Sequence, residues 1–175
     1  YPGILPNVPV LQDAAIGTGI VNTAPEVDGL VRRVPMVVRV GEALYPALGL
    51  DVLRGLAGDP SYQVRAGESG IQAVRVPSFD TVNTDSVGRV WIDWSTRFSQ
   101  EPLAGTIVFV GVTAAGVTTM VPSPQGLMFP HQIQAALLET LLNGTAPLRP
   151  DWALIAEIAF ILALGVLAIA LTQFF

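Results

Sequence analysis

The chain has 175 residues, with nine basic and fourteen acidic side chains, one histidine and no cysteine, and its formal net charge is −5. An acidic chain without a basic cluster is not suited to binding nucleic acid. The lack of cysteine excludes disulfides, thiolate metal sites and a cysteine nucleophile. Residues 1–150 have the size of one domain, and residues 151–175 form a separate apolar segment.

The first 40 residues are predicted to be mainly extended. Gly17–Asn22 predicts a short strand, and Pro25–Gly29 predicts a turn. Leu30–Val40 is rich in β-branched residues and predicts further strand. Pro35 lies within that run and indicates an edge or a bulge, because proline cannot donate to a sheet.

The middle of the chain is predicted to contain a helix, a hairpin and another strand. Tyr45–Leu56 has the periodicity of an amphipathic helix. Its apolar face carries residues spaced by four: Leu48, Val52 and Leu56. Gln63–Val76 is predicted to be a hairpin that turns at Gly67–Gly70, and Arg89–Trp94 is predicted to be a strand.

The region before the apolar tail predicts a central strand and a second helix. Ile107–Val110 is a short, fully apolar run that ends at Gly111, which is typical of a buried strand. Gln132–Asn143 predicts a helix that ends at Gly144. Its buried face carries Ile133, Leu137 and Leu141. This mixture of strands and helices predicts an α/β fold, a mixed sheet with flanking helices.

The C-terminal tail has the composition of a membrane span. Ile158–Leu171 contains no charge and no proline. Roughly 20 helical residues cross ~30 Å of hydrocarbon, and residues 154–173 provide that length. Glu157 is the one acid near the start of the run, while Arg149 and Trp152 lie where interfacial anchors are expected. A transmembrane helix in a lipid bilayer is therefore predicted.

No pattern of residues indicates an active site. Gly111–Thr118 nearly matches a P-loop, but Val117 occupies the position of the phosphate-binding lysine. The single histidine, His131, is predicted to be a capping or surface residue at a helix start. It has no nearby residue that could complete a metal site or a nucleophile–base pair. Three acids have spacings that fit turns and strand edges rather than a calcium loop: Asp80, Asp85 and Asp93. We expect no catalytic residue, no metal and no cofactor in this segment.

Several stretches carry the motifs of a known family. Gly17–Asn22 and Asp28–Arg33 are similar to a "G-x-x-N, then D-G-x-x-R" block, and Leu44–Leu48 is similar to a "ypsLal" helix start. Residues 106–124 follow the pattern "G-k-i-V-l-v-G-t-T-A-x-G … T-P". Residues 133–144 then follow "i-h-A … LL-x-G". On these residues the chain resembles the second type of CHASE domain, the cyclase- and histidine-kinase-associated sensory extracellular domains of bacteria.

The chain also departs from the pattern of that family. Thr119 stands where the family usually has an acid, and Pro130 stands where it has a glycine before the helix. The resemblance covers most of residues 11–172 and corresponds to the C-terminal part of a full family domain. A further half is therefore expected upstream.

The resemblance implies a function. Residues 1–150 would be the periplasmic or extracellular sensory domain of a receptor in the cell membrane, working as a homodimer on an unknown small-molecule or protein stimulus. The implied output is an adenylate or guanylate cyclase. The alternative is a ligand-independent assembly module of a histidine or Ser/Thr kinase receptor. Open α/β sheets bind ligands at the C-terminal ends of their strands, which places the expected ligand site at Gly111, Thr113, Ala114, Gly116, Thr119 and Ser123.

Overall fold

The computed structural model describes residues 3–68, 70–95, 105–149 and 152–174. These ranges contain four helices: α1 Pro9–Ala14, α2 Leu48–Ala57, α3 Pro130–Asn143 and α4 Ala153–Phe174. They also contain nine strands: β1 Arg33–Pro35, β2 Val37–Val40, β3 Ala43–Pro46, β4 Gln63–Gly67, β5 Gly70–Arg75, β6 Val82–Asn83, β7 Arg89–Trp91, β8 Val121–Ser123 and β9 Gly126–Met128. The predicted α/β class is confirmed.

The described strands form four small antiparallel sheets. β1 pairs with β7, β2 with β3, β8 with β9, and β5 lies between β4 and β6. Each sheet is too small to be stable alone, so the sheets depend on a shared core. This core is one hydrophobic cluster that joins β1, β5, β7, α2 and α3. Its members include Val34, Val74, Val90, Leu50, Ile133 and Leu137.

Helix α3 has the predicted position and the predicted buried face. Ile133 and Leu137 are fully buried, and Leu141 is only 6% exposed. The helix ends at Gly144, whose φ of 64° lies in the left-handed region that favours glycine. The amide of Gly144 donates to the carbonyl of Leu141, which closes the last turn. The apolar spacing of this segment was therefore a reliable signal.

Helix α2 exists as predicted, but its start and its buried face were predicted wrongly. Tyr45 belongs to β3, where it pairs with Val38, so the helix begins only at Leu48. The buried positions are Gly49, Leu50, Asp51 and Leu53. Leu56 is 53% exposed. The contact with α3 selects this face, because α2 approaches α3 through Gly49.

The predicted central strand at Ile107–Val110 is wrong. These residues are assigned to no strand, and Val108 and Val110 are 62% and 91% exposed. A continuous apolar run has no alternation that identifies its buried face, so composition alone misled the prediction. The predicted strand at Gly17–Asn22 is also reduced, to one parallel bridge between Ile20 and Ala47.

The predictions for the remaining strands hold better. The hairpin of β4 and β5 is confirmed, with its turn between Gly67 and Gly70. The run Leu30–Val40 contains β1 and β2, and Pro35 lies at the end of β1, as expected for an edge residue. The strand predicted at Arg89–Trp94 is confirmed as β7, which is shorter.

Residues 145–149 form a short connector between α3 and α4. The connector is neither helix nor strand. Residues Ala153–Thr172 have a mean hydropathy of 2.7, and none of this stretch is buried against the rest of the chain. By length and composition the helix can cross a membrane. An apolar helix that is not buried against its own domain needs an apolar environment.

Candidate functional site

The residues predicted to bind a ligand do not meet at the end of a strand. Gly111, Thr113, Ala114, Gly116 and Thr119 lie in an exposed segment without strand pairing, and Gly116 forms a turn with φ of 82°. Ser123 is buried in β8. Its hydroxyl donates to the carbonyl of Gly126 at 2.8 Å and accepts from the amide of Gln125 at 3.2 Å. The ligand-binding role of these six residues stays a prediction.

Gly111 nevertheless has a defined structural neighbour. A Cβ atom at Gly111 would lie 2.1 Å from Nδ1 of His131. His131 is half-buried at the start of α3 and stacks on Phe129, with ring centroids 5.7 Å apart. The exposed segment therefore packs against the first turn of α3 at a point where only glycine fits.

A network of ion pairs joins β1, β7 and the loop before β1. Nε of Arg33 donates to Glu26 at 2.7 Å, and its Nη1 donates to Asp85 at 2.8 Å. Nε of Arg89 donates to the same Asp85 oxygen at 3.0 Å. Arg33 also lies over the ring of Trp91, 4.8 Å from its centroid, which adds a cation–π contact. These ionic side chains are largely buried, so the network is better shielded from solvent than a surface ion pair.

Asp85 organises the turn that leads into β7. Its Oδ1 accepts from the backbone N–H groups of Val87 at 3.0 Å and Arg89 at 2.9 Å. Burial would raise the pKa of Asp85, but these backbone hydrogen bonds and the charge of Arg89 outweigh it and hold the pKa below 3.8. Asp85 is therefore ionised at neutral pH, with both oxygens occupied.

A cleft of about 240 Å³ lies between this network and the connector. One wall carries Arg33, Asp85, Arg89 and Trp91, and the other is formed by residues 147–149. A second depression, of about 370 Å³, lies along β4 and β5 and has no link to the connector. Charged groups from distant parts of the sequence converge only on the first of these two, which makes it the better candidate site.

The C-terminal part of α3 is bound to the segment that follows β7. The backbone N–H of Asp93 donates to the hydroxyl of Thr140 at 3.0 Å, and that hydroxyl donates to the carbonyl of Ala136 at 2.7 Å. Hydrogen bonds from Ser95 and then from the Thr145 side chain hold the pKa of Asp93 below 3.8. The exit from α3 is therefore fixed to the strand that carries Trp91.

The last described residue of the connector is paired with α4. Nη2 of Arg149 donates to the Glu157 carboxylate at 2.6 Å. Both side chains are more than half exposed, so the pair contributes little stability in water. It does place Arg149 between the cleft and α4.

The described residues contain no group of three or more His, Asp or Glu side chains placed to hold a metal ion. His131 lies at the start of a helix, as predicted, and stacks there on the ring of Phe129. Asp85 precedes β7 in a turn and Asp93 follows it, which agrees with the interpretation of both as turn and edge acids.

The family of the chain follows from a comparison with protein-family models. The CHASE2 domain model matches residues 4–170. The chain belongs to the CHASE2 domain family. CHASE2 domains are extracellular sensory domains of receptor proteins, which agrees with a folded domain that ends in an apolar helix. No curated protein and no solved structure matches the chain.

Sequence reasoning missed the ionic network of this CHASE2 domain. Arg33 and Asp85 are 52 positions apart, and no local pattern pairs them. Two local signals were present: the motif that ends in Arg33, and an aspartate followed by Gly88 and Arg89. An aspartate that accepts from amides two and four residues later is typical of a tight turn.

Proposed function

We propose that this CHASE2 domain is the extracytoplasmic sensor of a membrane receptor, and that it controls an adenylate or guanylate cyclase through α4. The observation that carries the proposal is the continuity between core and membrane helix. Helix α3 is fixed in the core by Ile133 and Leu137. It passes through Gly144 and a short connector into α4. A shift of α3 therefore has a short path to the membrane.

The ionic cleft supports a sensor over a purely structural domain. It borders the connector and combines charged side chains with Trp91, which is the composition of a ligand site rather than of a packing defect. A stimulus acts on such a receptor only if it binds two arrangements of the connector with different affinity. The active form in this proposal is a homodimer in the cell membrane.

The topology can be tested directly, because the chain has no cysteine. Ser61 is exposed before β4, so Ser61→Cys introduces one reactive thiol without disturbing the core. We expect a membrane-impermeant maleimide to label this thiol in intact spheroplasts. Labelling only after lysis would place residues 1–150 in the cytoplasm and refute the proposed sensor.

The output is tested in the full receptor by cyclic-nucleotide production in cells. We expect Leu137→Ala, which loosens α3, to change the basal production of cAMP or cGMP. The matched control Leu142→Ala alters an exposed position of the same helix. If neither the parent receptor nor its variants produce cAMP or cGMP, the cyclase assignment is overturned. The topology test would be unaffected by that result.

One observation favours the alternative, an assembly module of a histidine or Ser/Thr kinase receptor that needs no ligand. Val108 and Val110 are exposed within an uncharged run, and exposed apolar patches often mark protein contacts. Val110→Asp discriminates between the two, since a residue that is 91% exposed does not support the fold. In an assembly module this variant abolishes output, whereas in a sensor whose site is the ionic cleft the response to the stimulus persists.

A further inference from the structure

The cleft beside the connector presents arginine donors that the protein does not use internally. Arg89 donates from Nε to Asp85. No side chain or carbonyl in the described part of the chain accepts from its two terminal nitrogens. Arg149 forms the opposite wall and is 54% exposed. A guanidinium with free terminal N–H groups is a bidentate donor for a carboxylate or a phosphate.

The acids of the cleft are already paired with arginines, so they have little capacity left for a cationic ligand. Each oxygen of Asp85 accepts two hydrogen bonds, from two backbone amides on one side and from Arg33 and Arg89 on the other. Glu26 accepts from Arg33 at 2.7 Å and from Arg32 at 3.5 Å. The charged groups with hydrogen-bonding capacity left are the guanidinium groups of Arg89 and Arg149, which favours an anion.

We propose that this cleft binds a small oxyanion, a carboxylate or phosphate group, between Arg89 and Arg149. The volume of about 240 Å³ corresponds to roughly eight water molecules at ~30 Å³ each, enough for a small organic acid or a phosphate headgroup. The inference deepens the proposed function by naming the chemical class of the stimulus. The anion is either a soluble metabolite or the headgroup of a membrane lipid, since the connector leads into α4.

The same site explains how binding reaches the membrane helix. Arg149 pairs with Glu157 in the first turns of α4 at 2.6 Å. An anion held by Arg149 replaces that carboxylate, so ligand and Glu157 compete for one guanidinium. Binding then releases the start of α4 from the connector. By linkage, any change that weakens the pair of Arg149 and Glu157 strengthens anion binding.

The test uses the full chain in nanodiscs of zwitterionic phosphatidylcholine, titrated with citrate and with inorganic phosphate at constant ionic strength. Isothermal titration calorimetry should show saturable binding. Arg89→Gln should weaken it by about tenfold, the loss of one charge-assisted contact. The control Arg75→Gln removes an exposed arginine of β5, outside the cleft, and should leave the affinity unchanged.

Two further variants separate anion recognition from folding. Arg149→Gln changes an exposed residue of the connector, so it cannot act by unfolding the core, and it should also weaken binding. Glu157→Gln removes the competing carboxylate and should tighten binding by about threefold or more, an effect of opposite sign that a merely structural role would not produce.

The source of the anion is resolved by lipid composition. The fluorescence of Trp91 is isolated by Trp94→Phe and Trp152→Phe. If the ligand is a lipid headgroup, discs of anionic phosphatidylglycerol should shift this fluorescence in that background but not after Arg89→Gln is added, without any soluble anion. Such a shift supports the proposal with a lipid source, and saturable citrate or phosphate binding supports it with a soluble source. Neither signal, or equal losses in Arg89→Gln and Arg75→Gln, would overturn it. In that case the cyclic-nucleotide and topology experiments would still test the proposed function.

Discussion

The backbone N–H of Gly49 in α2 donates to the Oε1 atom of Gln134 in α3 at 3.1 Å. Gln134 is fully buried, so this hydrogen bond crosses the interface of the two helices inside the core. A Cβ atom at Gly49 would lie 3.0 Å from the carbonyl oxygen of Gln134. The lack of a side chain at Gly49 therefore sets how closely the two helices approach.

Two glycines of α2 should respond in opposite directions to alanine. Gly49→Ala forces the helices apart, and overpacking of this kind costs about 1–3 kcal/mol. Gly55→Ala places its methyl group in open space and should stabilise the fold by about 0.5–1 kcal/mol through helix propensity. Thermal unfolding of both variants in detergent micelles measures the difference. Equal stabilities would contradict the close approach at Gly49.

Leu137→Ala should destabilise the domain by roughly 2–5 kcal/mol, because it leaves a cavity in the core. Leu137 is fully buried in the cluster that joins both helices to the strands. Leu142→Ala, on the exposed side of the same helix at 41% exposure, should cost much less. Melting of the Leu137 variant at the temperature of the parent chain would refute the assigned face of α3.

The sequence predicted those elements whose local pattern is decisive. Helix α3 and the hairpin of β4 and β5 have clear periodicity and clear end signals, Gly144 in the one case and Gly67 with Gly70 in the other. Helix α4 was predictable from its length and from the charge-free run Ile158–Leu171 alone. In these elements the residues that form the structure lie close together in the chain.

The errors concern features that tertiary contacts decide. The buried face of α2 depends on Gln134, which is 85 positions from Gly49. The ion pair of Arg33 and Asp85 also joins distant segments. The apolar run before Gly111 resembled a core strand by composition, yet it pairs with no strand in the described part of the chain. Composition indicates that such a run prefers burial but does not supply the partner.

The ion-pair network should make stability depend on acidic pH. The pKa of Asp85 is held below 3.8 in the folded chain. A depressed folded-state pKa means that the stabilisation is present above the unfolded value and is lost as the pH falls through the lower folded value. Asp85→Asn should be less stable near neutral pH and should lose less stability on acidification below about pH 4.

The check is a series of melting curves for the parent chain and for Asp85→Asn between neutral and strongly acidic pH. Asp80→Asn, an exposed acid outside the network, serves as the control and should follow the parent chain. Parallel curves for Asp85→Asn and the parent would show that Asp85 does not contribute through its charge.

Insertion of α4 should tolerate a change at Glu157 but not a new acid in the middle of the helix. Glu157 lies near the start of α4 and is exposed, so Glu157→Gln should insert as well as the parent. Gly165→Asp places a charge near the membrane centre at a cost of ~3 kcal/mol and should reduce insertion. Glycosylation mapping measures both, and equal insertion of the two variants would refute the predicted span of residues 154–173.

The connector should transmit the signal because it is short, anchored and stiff. Thr140, near the end of α3, accepts a hydrogen bond from the backbone of Asp93. Residues 147–149 line the cleft, and the sequence has prolines at positions 147 and 150, which restrict φ. Replacing residues 145–148 with Gly-Ser-Gly-Ser should leave the melting temperature of the domain nearly unchanged. Cyclic-nucleotide output of the full receptor should then no longer follow conditions that change the output of the parent.

A single substitution separates anchoring from stiffness in that experiment. Thr140→Val removes the hydrogen bond to Asp93 but keeps both prolines, so the remaining response measures the stiffness of the connector alone. If stiffness carries the signal, Thr140→Val should respond almost as the parent does and the Gly/Ser connector should not. A normal response from the Gly/Ser connector would mean that the signal reaches α4 by another route, such as a contact between two copies of the domain.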